Sequence, residues 1–272
     1  MDLYRETFGA AGDPAILLIG GVSAAMDWWE TEFCERLAAA GRFVIRYDHR
    51  DTGQSPTSPA GKPQYTGEDL ATDPVRLLDA LGVERAHLVG VSMGGGIAQH
   101  VGARYADRVR TLTLIETSPA GERVGRQPLP AGNAPAGPPA PDWHDRAAVI
   151  DYLVESQRVY SGVPFDEDRV RRLATQVVDR SPDMAASMTN HLLAPGGPPA
   201  FRLADITAPT LVLHGTADPL FPLGHGAALA DEIPNARFVR LENMGHEYPP
   251  ARLWDVVIPE IVQHTSGETR YS

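Results

Sequence analysis

The sequence predicts an α/β fold: a mostly parallel central sheet flanked by helices, interrupted by an inserted helical segment. Three observations predict it. Over roughly the first 120 residues, short apolar runs alternate with longer amphipathic ones. The same alternation resumes near residue 206. Between them the pattern changes to a proline-rich stretch followed by helical periodicity. The expected organisation is a core of residues 1–118 and 206–272, with 119–205 as a helical cap insertion.

Ala15–Ile19, Phe43–Tyr47, His87–Val91 and Thr111–Ile115 read as buried strands, each short, rich in Val, Ile or Leu, and bounded by Gly, Asp or Ser. Trp29–Ala40 places Phe33, Leu37 and Ala40 on one helical face. Glu68–Leu81 turns Leu70, Leu77, Leu78 and Leu81 inward and stops at Gly82. Ser92–Tyr105 starts a helix directly after a strand. Residues 128–141 hold six prolines and two glycines, so a loop without regular structure is expected there. Arg146–Tyr160, Glu167–Val178 and Asp183–Leu193 read as helices, the last with Met184, Met188 and Leu192 at i, i+4 and i+8. Thr210–His214 and Arg237–Leu241 are expected as strands, Gly226–Ile233 and Arg252–His264 as helices, and the polar tail Ser266–Ser272 as frayed.

Composition narrows the function. The chain has 272 residues, enough to bury a core without disulfides or metals, and its only cysteine, Cys34, excludes an internal disulfide framework. Net charge is −11 with no basic run, which argues against nucleic-acid binding. The longest nearly apolar stretch, Ala15–Met26, contains Gly20, Gly21 and Ser23 and falls short of the ~20 residues that span a bilayer. The N-terminus lacks a basic segment followed by an apolar one, so no signal peptide and a cytoplasmic location are expected.

The segment that carries chemistry is Gly90-Val-Ser92-Met-Gly94, lying between a strand and a helix. This is the context in which G-x-S-x-G forms a tight, strained turn that lifts the serine hydroxyl to the edge of the sheet. Both glycines relieve crowding in the turn. A serine needs a base. Of nine histidines, His246 follows a strand on the face where Ser92 emerges, and it is the expected base. Asp218, in the loop after Thr210–His214, is the expected orienting acid. Glu116, after the strand that follows the nucleophile helix, is the competing acid. The expected oxyanion donors are the backbone N–H groups of Gly21 and Met93. Trp28, Trp29, Met184 and Met188 are candidate pocket residues. The run Asp48-His49-Arg50-Asp51 reads as a salt-bridged structural loop, and no metal or other cofactor is expected.

On these residues the chain resembles the α/β-hydrolase superfamily over nearly its full length. The carriers are the Gly-Val-Ser92-Met-Gly elbow, the Gly-Thr-Ala-Asp218-Pro loop and Met-Gly-His246. More narrowly it is similar to the aclacinomycin methylesterase group, through Ile45-Arg-Tyr-Asp-His-Arg-Asp-Thr-Gly53, Ser161-Gly-Val-Pro-Phe-Asp166 and Ile19-Gly-Gly21. The resemblance implies removal of a methyl ester from a polyketide-like small molecule, with Ser92, Asp218 and His246 as the triad. The insertion is shorter and richer in proline than that group's cap, so the particular substrate does not carry over. The expected function is serine-dependent hydrolysis of a small-molecule carboxylic ester. Lactone, thioester or cofactor-free perhydrolysis chemistry on the same triad is one alternative, and a non-catalytic binding module is the other.

Overall fold

The computed structural model describes residues 2–122, 129–133, 135–197 and 200–266. Seven strands form one sheet: β1 (Arg5–Phe8), β2 (Ala15–Ile19), β3 (Phe43–Tyr47), β4 (Ala86–Val91), β5 (Val109–Ile115), β6 (Thr210–Gly215) and β7 (Ala236–Leu241). Their order is β1-β3-β2-β4-β5-β6-β7. Every neighbouring pair is parallel except β1 with β3. Each of the six strands expected from the sequence is present, with ends moved by at most two residues. The strand the sequence analysis missed is β1. Its Arg-Glu-Thr-Phe run is only partly buried, because it lies on the sheet edge and has no apolar run to betray it.

The helices are α1 (Thr31–Ala39), α2 (Gly67–Ala80), α3 (Met93–Arg104), α4 (Arg146–Tyr160), α5 (Glu167–Arg180), α6 (Met184–Leu193), α7 (Gly224–Glu232) and α8 (Trp254–Thr265). The helix expected from Trp29 begins instead at Thr31, after a single 3-10 turn over Met26–Trp28. The sheet is covered on both faces, as a parallel sheet must be. Alternate residues of β2 show the division. Leu17 and Ile19 join Leu78, Val101 and Leu229 on one face, while Ile16 and Leu18 join Phe33, Leu37, Trp254 and Val257 on the other.

Between β5 and β6 the chain forms α4, α5 and α6. Each begins with an aspartate that caps its first turn: Asp145 accepts from the N–H of Ala147 and Ala148, Asp166 from Arg169, and Asp183 from Ala186. The helices enclose a third apolar cluster with Val149, Leu153, Leu173, Val177 and Met184, which also takes in Trp28. No regular element occupies residues 129–133 or 135–141; residues 128 and 134 of that expected loop, and 267–272 of the tail, lie outside the described residues.

The expected apolar stripe of α6 is broken. Met184 is buried and Met188 half-buried, but Leu192 is 74% exposed. The inward face instead carries Ser187, Asn190 and His191. They bond to the loop after β3 through the Asp51 carbonyl (2.6 Å), the Asp51 carboxylate (2.8 Å) and the Arg50 carbonyl (2.7 Å). That loop is cross-braced as expected. Arg50 forms a bidentate pair with buried Asp73 (2.6 and 2.7 Å), and Asp48 takes the N–H of Met26 (2.8 Å) and the guanidinium of Arg180 (2.7 Å). No helix among the described residues is long and apolar enough to cross a membrane.

Candidate active site

Ser92 follows β4 and caps α3 with φ +53° and ψ −118°. A non-glycine residue in this region costs about 1–3 kcal/mol. The turn is held by the Ser92 N–H on the Ile115 carbonyl at 3.0 Å. No side chain fits around it. A Cβ on Gly90 would lie 2.2 Å from the Gly94 carbonyl oxygen, and one on Gly94 would lie 2.3 Å from that of Ile19. The two glycines of the motif are therefore required by the approach of α3 to β2 and β4.

Asp218 sits in the turn after β6. Its Oδ1 accepts the N–H groups of Leu220 (2.7 Å) and Phe221 (2.8 Å), while buried His214 Nε2 donates to the Phe221 carbonyl (2.7 Å) and closes the same turn. His246 sits in the loop after β7. Because β4, β6 and β7 run parallel, the residues just beyond their C-terminal ends converge. His246 Nδ1 lies 2.8 Å from Asp218 Oδ2, and His246 Nε2 lies 2.9 Å from Ser92 Oγ. Burial pushes the Asp218 carboxyl up. The hydrogen bonds from His246, Glu116 and the Phe221 N–H outweigh it and hold the group at about 2. An ionised Asp218 accepts from Nδ1–H, which leaves Nε2 free to accept from the serine hydroxyl. The rings of Phe221 (5.2 Å) and Tyr160 (6.5 Å) stand edge-on to the imidazole.

The inserted segment holds the histidine loop directly. The His246 N–H donates to the Tyr160 carbonyl at the end of α4 (2.7 Å), and the Gly162 N–H donates to Glu247 (3.0 Å). The first contact is backbone to backbone, and the second ends on the Glu247 side-chain Oε1. A Cβ on Gly162 would lie 1.8 Å from the Asn243 carbonyl oxygen, and one on Gly245 would lie 2.2 Å from that of Tyr160.

Glu116, the competing acid, is fully buried behind Asp218 rather than against the histidine ring's bonded nitrogen. Its Oε1 accepts the Gly215 N–H at 2.5 Å, and its Oε2 receives no hydrogen bond. Burial raises its pKa well above 4.5, and the hydrogen bond to Asp218 and that group's charge raise it further. In its neutral form Glu116 has an Oε2–H to offer Asp218. The sign of the pH effect follows. A carboxyl whose folded value is raised stabilises the fold below its unfolded value, and that stabilisation is lost as pH rises toward the folded value. Glu116→Gln keeps the donor and cannot ionise. Above pH 4.5 the stability of the native chain relative to the variant is expected to fall by about 1.4 kcal/mol per pH unit until Glu116 titrates in the fold. Urea melts of both proteins across pH 4.5–8 check this, and a gap that stays constant with pH contradicts it.

Among the described residues, Glu116, Asp218 and His246 have donor atoms within 4.8 Å of one another, close enough to meet on an ion. They fit a hydrogen-bonded chain better than a cation, since Asp218 and His246 already bond each other and burial favours the neutral form of Glu116. The one thiol, Cys34, is buried, and burial pushes it up to about 12, so it offers no competing nucleophile.

The Met93 N–H, first in α3, has no acceptor within the helix. The Gly21 N–H, by contrast, is taken by the Tyr248 hydroxyl at 2.8 Å. Sequence reasoning missed Tyr248; its only signal is its position two residues after His246. Of the candidate pocket residues, Trp29 is 1% exposed and stacks on Phe33, while Trp28 and Met184 are buried in the cluster under α4–α6. Met188 alone of the four is only half-buried.

Comparison with known proteins agrees with this architecture. A sequence model of the alpha/beta hydrolase fold matches residues 14–145. Rhodomycin D methylesterase DauP of Streptomyces sp. (strain C5) is 35% identical, over 98% of this chain and 96% of its own. Rhodomycin D methylesterase DnrP of Streptomyces peucetius is 33% identical over the same shares. Among solved structures, the enol-lactonase from Burkholderia xenovorans LB400 superposes with a TM-score of 0.72 at 24% identity, covering 97% of this chain and 96% of that one, a likeness of fold. With its parallel sheet, its serine elbow and full-length relatives of this identity, the chain belongs to the α/β hydrolase fold family.

Proposed function

We propose that the protein hydrolyses a small-molecule carboxylic ester, with Ser92 as nucleophile, His246 as general base and acid, and Asp218 as orienting anion. The observation that carries this reading is the unbroken hydrogen-bond chain from Ser92 Oγ through His246 to Asp218. Ser92 Oγ adds to the ester carbonyl while its proton passes to His246 Nε2, and the carbonyl π electrons move to oxygen. In this reading the Met93 N–H, first in α3 and directly after Ser92, is a donor to that oxyanion. Collapse of the intermediate breaks the acyl–oxygen bond, and His246 returns the proton to the leaving alcohol. Water, deprotonated by His246, then releases the acid and restores the serine hydroxyl.

Full-length identity to two methylesterases supports a methyl ester of a polycyclic, polyketide-like molecule as the substrate class. In this reading residues 119–205 act as the cap. Trp28, next to Tyr248, and half-buried Met188 form its apolar wall, with Trp29 and Met184 supporting them from behind.

Intact mass after treatment with a fluorophosphonate tests the reading. One adduct, mapped to Ser92 and absent from Ser92→Ala, is the expected result. A folded chain that takes no adduct makes a non-catalytic binding module the better description.

A further inference from the structure

Tyr248 reaches back from the histidine loop to the glycine turn after β2. Its hydroxyl oxygen accepts the Gly21 N–H at 2.8 Å. A Cβ built on Gly21 would stand 3.6 Å from Ser92 Cβ and 3.8 Å from the Tyr248 oxygen, so phenol and nucleophile flank the same glycine. The ring is fixed. It meets Trp29 edge-on at 4.9 Å, lies against Trp28 at 6.4 Å, and packs against the apolar clusters on both sides. The phenol keeps one proton to give, and no acceptor among the described residues takes it.

We propose that Tyr248 is a catalytic residue that donates its O–H to the oxyanion, beside the N–H of Met93. The Gly21 N–H then acts indirectly, by binding the phenol oxygen. This assignment rests on the reading of Ser92 as nucleophile. An oxygen that already accepts an N–H is a stronger donor through its own O–H. Burial pushes the phenol's pKa up, against a smaller opposing effect of the Gly21 N–H, and this keeps the proton in place. No proton is transferred: the hydrogen bond strengthens as the carbonyl π electrons move to oxygen during attack. The opposite assignment, a plug that must leave before substrate binds, requires the ring to abandon both tryptophans.

Tyr248→Phe separates the two, because it keeps the ring and frees the Gly21 N–H. With p-nitrophenyl acetate, kcat is expected to fall on the order of 100-fold, as for loss of one oxyanion donor, with KM changed little. Unchanged or faster turnover overturns the proposal, the faster result identifying a plug. A second variant covers a Phe substitution that fails to fold. Installing 3,5-difluorotyrosine at position 248 keeps the hydroxyl but makes it more acidic. The alkaline limb of kcat is then expected at lower pH than in the native chain, and an unmoved limb counts against the donor role. Fluorophosphonate labelling of the native chain distinguishes the levels of failure. Labelling at Ser92 with an unaffected Phe variant sinks only the Tyr248 assignment, whereas an unlabelled native chain sinks the serine reading and this proposal with it.

Discussion

Ser92→Ala and His246→Ala are each expected to lower kcat for a p-nitrophenyl ester by roughly 10⁶-fold, with the double variant losing no more than either alone. The two side chains act through one hydrogen bond, His246 Nε2 to Ser92 Oγ at 2.9 Å. Without the imidazole, the serine proton has no acceptor. Without the serine, the imidazole has nothing to activate except water. Neither loss can be counted twice, so the free energies do not add. Initial rates on the three variants, with melting temperatures to establish folding, are the measurement. Losses below about 100-fold, or losses that multiply in the double variant, are incompatible with a unit of this kind.

Asp218→Asn is expected to cost about 10⁴-fold in kcat while leaving the fold intact. The local geometry supplies the reason. Oδ1 of Asp218 accepts two backbone N–H groups, from Leu220 and Phe221. An asparagine must put its carbonyl oxygen there, which turns its NH₂ toward His246 Nδ1. That nitrogen then becomes the acceptor, the ring proton moves to Nε2, and Nε2 can no longer take the serine proton. A variant retaining more than about a tenth of native kcat would show that the tautomer is not set by Asp218.

Much of this arrangement was legible in the sequence because local chemistry and global fold agree. Gly90 and Gly94 bracket Ser92 at a spacing the elbow demands, and the atoms that would collide with their Cβ positions are 2.2 and 2.3 Å away. The helices between β5 and β6 announced themselves by periodicity, and each starts at a capping aspartate. Asp218 and His246 could be selected because each follows a strand on the face where Ser92 emerges. What stayed hidden depends on register and approach between distant segments. Glu116 meets Asp218 because β5 pairs with β6 so that Ile115 faces Leu213, which brings Gly215 onto the glutamate. Nothing near Glu116 in sequence encodes its protonation. Tyr248 meets Gly21 across 227 positions of chain. The polar inner face of α6 was read as an apolar stripe because its partner loop, at residues 48–51, is far away in sequence.

The glycine contact between the end of α4 and the histidine loop bears on how such a protein can be recombined. The segment between β5 and β6 invites exchange as a cassette that would bring a new specificity to an unchanged His246, the proposed base. Within the cassette, just where α4 ends, the Tyr160 carbonyl takes the backbone N–H of His246, and Gly162 packs against Asn243 too closely for any side chain. A chimera that replaces the whole segment therefore also replaces a support of the base. One that keeps Tyr160–Gly162 and varies only what lies on either side preserves it. By the same logic, drift of this segment in descent is bound at that joint, as it is where α6 and Arg180 hold the loop after β3.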